Sequence, residues 1–162
     1  MKMINNDIYA YLNNRPSRYD NAAFLRFIAE VGVPKLPPAI HITGTNGKGS
    51  SAYYIANALI KTGYKVGLFT SPYLFRANEM AVVDGEEISD EFILSQINKY
   101  DKVFKKHSVS AFEILTFIAF NYFVEAKADY VVIEVGMGGL NDSTNIIKPI
   151  LSIITNIGLD HT

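Results

Sequence analysis

Between Gly44 and Ser50 the chain reads Gly-Thr-Asn-Gly-Lys-Gly-Ser, directly after a short apolar run from Ala39 to Thr43 and directly before an amphipathic stretch that opens at Lys48. Free backbone N–H groups at a helix start, glycines that admit close approach and one lysine together make a phosphate cradle. Thr45, Asn46, Gly47, Lys48, Gly49 and Ser50 are its candidate nucleotide contacts. Lys48 would lie over the β- and γ-phosphates as a point charge, and Ser50 offers a hydroxyl near the Mg²⁺ that accompanies them. The match to the general P-loop pattern is partial. Ile42 stands where the first glycine belongs, and Gly49 follows the lysine where Ser or Thr is usual. An ordinary glycine-rich turn with a surface lysine is the competing reading.

Glu134 is the second group with chemical promise, because it interrupts the apolar run Val131-Val-Ile-Glu-Val135. An ionised carboxylate buried without a partner costs several kcal/mol, so a cation or several donors should face it. It is either a Mg²⁺ ligand or a structural carboxylate satisfied within the fold. Gly136, Gly138 and Gly139, just behind it, favour a loop that approaches a ligand closely. Ser71, before Pro72, reads on its own as a turn residue. His41, inside an apolar run, reads as a core or sheet histidine, and His107, beside Lys105-Lys106, as an exposed one.

The elements that must position these groups alternate between helix and strand. Helices are expected over about 3–14, 20–32, 48–63, 90–106 and 112–127, with Asp20 or Asn21 and Ser89 or Asp90 as caps. Strands are expected at about 39–43, 65–70, 130–135 and 150–155, apolar at nearly every position and so buried on both faces. A small hairpin turns at Asp84-Gly85. The product is an α/β domain with a mostly parallel sheet flanked by helices, and in such sheets ligands collect at the carboxyl ends of the strands. Those ends carry Gly44–Ser50, Ser71, Glu134 with its glycines, and Asn156, Asp160 and His161.

Composition narrows the function class. With 162 residues, 49% of them hydrophobic, the chain can bury one core. A formal charge of −1 without a basic stripe argues against a nucleic-acid binder. No cysteine is present, so disulfides and thiolate metal sites are excluded. No apolar run reaches the length of a membrane span, and the start of the chain lacks a signal-peptide segment, so a cytoplasmic enzyme without membrane contact is the simplest expectation.

GTNGKGS after an apolar strand resembles the ATP loop of the folylpolyglutamate synthases and dihydrofolate synthases of the Mur ligase superfamily. The likeness extends to TSPYLFRANE at 70–79, EVGMGGLNDSTN at 134–145 and TNIGLDHT at 155–162. It implies a P-loop NTPase-like fold, the Mur ligase central domain, and an ATP- and Mg²⁺-dependent amide ligase that joins L-glutamate to a folate- or dihydropteroate-type carboxylate through an acyl phosphate. On this resemblance Ser71, Glu134 and His161 are metal ligands, and Lys48, Glu134 and His161 serve catalysis. Ser110, Ala111, Phe112 and Glu113, with Asn141, Asp142 and Ser143, are substrate contacts. Without the resemblance, Phe112 and its apolar neighbours read equally as core, Glu113 as a helix cap, and 141–143 as a polar loop.

Tyr73, Met80 and Leu140 stand where many relatives carry His, Arg and Arg, all around the folate-type substrate rather than the phosphate loop. The family's chains are longer, with a second, C-terminal domain. Residues 1–162 are therefore expected to be the N-terminal part of the ATP-binding domain, incomplete, and inactive as a ligase alone. An uncovered sheet edge would then invite self-association. Competing readings are a non-catalytic nucleotide-binding or assembly fragment and a cell-wall precursor ligase of the same superfamily.

Overall fold

The computed structural model describes residues 5–17 and 20–159. In chain order they form α1 (Asn5–Asn13), α2 (Ala22–Val31), β1 (Ala39–Thr43), α3 (Lys48–Lys61), β2 (Val66–Phe69), β3 (Ala81–Val83), β4 (Glu86–Glu87), α4 (Asp90–His107), α5 (Ala111–Glu125), β5 (Tyr130–Glu134) and β6 (Leu151–Ile154). Short 3₁₀ turns occupy Ala77–Met80 and Ser143–Ile146. The six-stranded sheet has the order β4-β3-β2-β5-β1-β6. Strands β2, β5, β1 and β6 are parallel, while β3 and β4 form the expected hairpin, antiparallel on one edge. The mostly parallel α/β architecture read from the sequence is the one observed.

Period-two alternation sends each central strand's residues to two different cores. Ile40, Ile42, Val66, Leu68 and Val132 meet Ala52 and Ala56 of α3 on one face. Ala39, Phe69, Val131 and Ile133 face the larger core under α5, backed by α2 and α4. Helix α5 is apolar around nearly its whole circumference, as a helix covered on all sides must be. A capping box starts it: Glu113 Oε2 accepts the Ser110 N–H at 2.7 Å, and Ser110 Oγ accepts the Glu113 N–H at 3.4 Å. Aromatic rings fill the space between α2, α4 and α5. Phe27 meets Phe104 at 4.9 Å and Phe117 edge-on at 4.8 Å.

Two sequence expectations need correction. Strand β6 is not buried on both faces: Leu151 is 49% exposed and Ile154 62%. Its residues have the β-rich, apolar composition of a core strand, but β6 pairs on one side only, and α3 reaches β1, β2 and β5 without covering it. His107 is not solvated either. Its Nε2 lies 2.6 Å from Glu30 Oε2, which ties the end of α4 to α2, and Lys106 binds the same oxygen at 2.8 Å.

Strand β2 and helix α5 pack closely at Gly67, where a Cβ would come within 2.6 Å of the Phe123 ring. Gly67→Ala should therefore destabilise the fold by about 1–3 kcal/mol through overpacking, measured by urea denaturation. Phe123→Leu should recover part of that loss in the double variant, whereas an unchanged midpoint for Gly67→Ala would show that α5 yields freely.

Candidate phosphate loop and adjoining cleft

Strand register brings the candidate groups to one edge. Ile42 pairs with Glu134, and Phe69 with Ile133, so β1, β5 and β2 end almost level. The residue two past the end of β2 therefore reaches the last residue of β5, and the Ser71 N–H donates to Glu134 Oε2 at 3.0 Å. Gly49, in the first turn of α3, approaches the same carboxylate: a Cβ there would stand 3.1 Å from Oε2. Glu134 is 4% exposed, and no ion pair to it occurs among the described residues. Burial pushes its carboxyl above the ordinary carboxylate range, against the opposing pull of the Ser71 N–H, the Lys48 charge and the Gly49 N–H.

The phosphate loop is not made wholly of free amides. Thr45 N–H donates to the Asn156 carbonyl at 3.0 Å, and Asn46 N–H to Asn156 Oδ1 at 2.9 Å. Thr155 Oγ1 in turn donates to the Asn46 carbonyl at 2.7 Å. The segment after β6 thus fixes the first half of the loop and leaves the amides of Gly47, Lys48 and Ser50 without an acceptor among the described residues. Lys48 Nζ donates to the Gly44 and Thr45 carbonyls at 2.9 and 3.2 Å, which holds the ammonium over the loop. Ser50 is exposed, one residue beyond the glycine that meets Glu134.

Two cavities open here. One, of about 400 Å³, is lined by Thr43, Gly44, Thr45, Lys48, Asn156 and Gly158, among others. The second, of about 420 Å³, is lined by Ser71, Pro72 and Tyr73, by Ser110–Glu113, and by Asn141–Ser143. Gly136 and Met137 line both, so the glycine loop after β5 is their common wall. Every sequence-derived substrate candidate therefore lies on one cleft. Phe112 is both core and wall, with its ring 6.1 Å from that of Phe69 and against the backbone of Gly136, where a Cβ would meet it at 2.5 Å. Asp142 accepts from Thr144 N–H and Thr144 Oγ1 through Oδ1, at 2.9 and 2.6 Å, and from Met137 N–H through Oδ2 at 2.9 Å.

Several side chains hold the loop between Ser71 and Met80: Asn78 donates to the Ile88 carbonyl, the Ala77 N–H donates to Tyr9 Oη, and Glu79 gathers the turn itself. Glu79 accepts the N–H groups of Leu74, Phe75 and Arg76 at 2.7, 3.0 and 2.9 Å, and this aims Tyr73 at the cleft. Sequence reasoning missed this role of Glu79. It also missed Leu12, Asn13 and Asp20, which line the cleft from the amino-terminal side. Their types gave no signal, since they read as an amphipathic helix and its neighbouring cap. His161 and Asp160 lie outside the described residues.

A single hard cation fits the donor set. No cluster of three or more His, Cys, Asp or Glu able to hold a metal occurs among the described residues. One buried carboxylate without an ion-pair partner, with phosphate oxygens and water to complete the shell, suits a hard divalent cation rather than Zn²⁺.

Residues 42–162 match the Mur ligase middle domain. The chain is 37% identical to folylpolyglutamate synthase of Lacticaseibacillus casei over 163 residues, covering 94% of this chain and 38% of that protein. It is 42% identical to the dihydrofolate synthase/folylpolyglutamate synthase of Bacillus subtilis over 144 residues, covering 84% and 34%. Among solved structures it is similar to an FPGS complex with AMPPCP and folate, with a TM-score of 0.89 and 36% identity, covering 99% of this chain and 42% of that one. A bifunctional folylpolyglutamate synthase/dihydrofolate synthase with Mn, AMPPNP and L-glutamate bound superposes with a TM-score of 0.86 at 32% identity, covering 94% and 38%. The chain thus spans about two fifths of the length of these relatives.

Beside the cleft, His41 is buried on β1, and burial lowers its pKa below the ordinary 6.5 while the Asp142 charge opposes the shift. The unfolded chain takes up a proton near pH 6.5, and the folded chain does so only at lower pH. His41 should therefore make the protein lose stability as pH falls through 6.5 toward the folded value. Chemical denaturation from pH 8 to 5 should show wild type falling relative to His41→Gln across that window. Parallel pH curves would refute a depressed His41.

Proposed function

This chain belongs to the Mur ligase family, in its folylpolyglutamate synthase and dihydrofolate synthase branch, and from that membership we propose that it binds ATP and a folate-type acid for ligation to L-glutamate. The observation that carries this reading is the buried Glu134 carboxylate, without a protein cation among the described residues, beside the glycine wall shared by a phosphate-loop cavity and an aromatic-lined cleft. Residues 1–162 correspond in this reading to the N-terminal part of the ATP-binding domain.

The reaction joins two steps. A carboxylate oxygen of the folate-type acid attacks the γ-phosphorus of ATP, and the bond to the departing ADP breaks to give an acyl phosphate. The amine of L-glutamate then attacks the acyl carbon, loses a proton and expels phosphate. Both steps depend on positioning and on stabilising charge at phosphate oxygens. The free amides of Gly47, Lys48 and Ser50 and the Lys48 ammonium supply donors on one side of the loop. Glu134 and Ser71 are the residues that would hold Mg²⁺, with His161 as a further ligand beyond the described residues. When bound, that ion neutralises charge developing on the phosphates.

The acid would lie in the cleft. Phe112 presents a ring to a flat heterocycle, and Asp142 Oδ2 keeps room for one further donor after accepting Met137 N–H. Ser110 and Glu113 shape the wall while their polar atoms close the capping box. Asn141 and Ser143 complete the opposite side.

Calorimetric titration of this chain with Mg²⁺ and a non-hydrolysable ATP analogue should give saturable binding, and Lys48→Ala should weaken it 10- to 100-fold, the loss of one charged hydrogen bond of about 1.5–3 kcal/mol. Glu134→Gln should remove the enhancement by Mg²⁺ while leaving metal-free binding nearly unchanged. In the ligase that carries this chain, ADP release should require a folate-type acid, and phosphate release should require L-glutamate as well. ADP release that ignores the acid would overturn the substrate assignment.

A further inference from the structure

The glycine loop that separates the two cavities is pinned from below by strand β1. Thr43 Oγ1 donates to the Gly138 carbonyl at 2.7 Å. Two residues earlier, on the same face of the strand, His41 Nε2 lies 2.8 Å from Thr144 Oγ1. The Thr144 hydroxyl has one proton, and it goes to Asp142 Oδ1 at 2.6 Å. His41 must then be the donor to Thr144, which fixes its Nε2–H tautomer. Asp142 passes the link on by accepting Met137 N–H, and its own N–H donates to the Gly139 carbonyl at 3.1 Å. His41, Thr144 and Asp142 are all buried, so each bond in this chain is made away from bulk water, where a missing partner is expensive.

The Phe112 ring packs on Gly136 at the start of the loop, but past that contact little apolar packing defines it. Gly138 and Gly139 both take positive φ, at 69° and 151°, and offer no side chain to pack. Its position is therefore set by polar ties, from Thr43 directly and from His41 by way of Thr144 and Asp142. Because Gly136 and Met137 line both cavities, a shift of this loop alters both at once.

We propose that His41 and Thr144 are positioning residues: acting through Asp142, they hold the 136–139 loop at the spacing that both the nucleotide cavity and the folate-side cleft require. The proposal rests on the functional reading above for the identity of the ligands, but not for the restraint on the loop. Burial keeps His41 in the neutral form that this donor role uses.

Two readouts separate the possibilities. Amide hydrogen exchange at Met137 and Asp142, whose N–H groups are held by Asp142 Oδ2 and the Gly139 carbonyl, followed by NMR in the ligand-free chain, should accelerate about tenfold or more in Thr144→Val and His41→Leu. It should stay near wild type in Thr144→Ser and His41→Gln, which keep a hydroxyl and a side-chain N–H donor. Ile97→Ala, a buried change in α4 away from both cavities, serves as the stability control and should leave the loop amides protected. Titrations with Mg²⁺ plus a non-hydrolysable ATP analogue, and separately with dihydropteroate, should show both affinities falling about tenfold in Thr144→Val and recovering in Thr144→Ser. Unchanged loop exchange in Thr144→Val overturns the proposal, as does faster exchange with both affinities intact. Loosened amides in a chain whose wild type binds neither ligand support the loop restraint and overturn the functional reading instead. Should Thr144→Val fail to fold, His41→Leu against His41→Gln decides by the same measures.

Discussion

A carboxylate at the end of a central parallel strand, desolvated and without a protein cation among the described residues, is the constraint around which this molecule is arranged. Strand β5 lies between β1 and β2, and at its end Glu134 is covered by the start of α3 at Gly49 and by Ser71, which keeps it buried. The neighbouring elements accommodate its charge. Ser71 offers an amide, Gly49 removes a side chain from the approach, and Lys48 contributes attraction from across the loop. Burial still outweighs those three, and the carboxyl stays above the ordinary carboxylate range.

The sheet was legible because each strand carries its own signal. Short runs of Val, Ile and Phe bounded by Gly, Pro and Asn mark β1, β2 and β5, and Asp84-Gly85 marks the hairpin. Neighbours are what such runs do not report, and β6 was misjudged for that reason: Leu-Ser-Ile-Ile has the same composition whether or not a helix covers it. His107 failed in the same way, since its partner Glu30 lies on another helix. At the site, the phosphate loop and Glu134 could be picked out from residue types along the chain, whereas Ser71 became a candidate only through the family resemblance. The capture of the Thr45 and Asn46 amides by Asn156 could not, because it depends on β6 lying beside β1. Asp142 looked like one more polar loop residue, and only its three donors show that its carboxylate organises the turn.

Phe112 illustrates why core and binding-site readings of an aromatic residue need not compete. On one side its ring meets Phe69 of β2, and on the other it closes on Gly136. Packing in the main core therefore sets the ring's orientation, while the face left over becomes part of the cleft. The same holds for Ser110 and Glu113, whose capping box fixes where α5 begins and hence where Phe112 projects. Helix capping, core packing and cleft shape are one set of contacts, so a change in any of them moves the others.

The loop's departure from the usual phosphate-binding pattern follows from the same geometry. Where a hydroxyl residue commonly follows the lysine, this chain has Gly49, and a Cβ at that position would stand 3.1 Å from Glu134 Oε2. A serine or threonine there would put a methylene or methine between the helix start and the carboxylate, forcing one of them away. With glycine, α3 and β5 approach closely enough for the Glu134 carboxylate to sit against the start of the helix. Ser71, just past the end of β2, meets the same carboxylate through its backbone N–H because that strand ends level with β5.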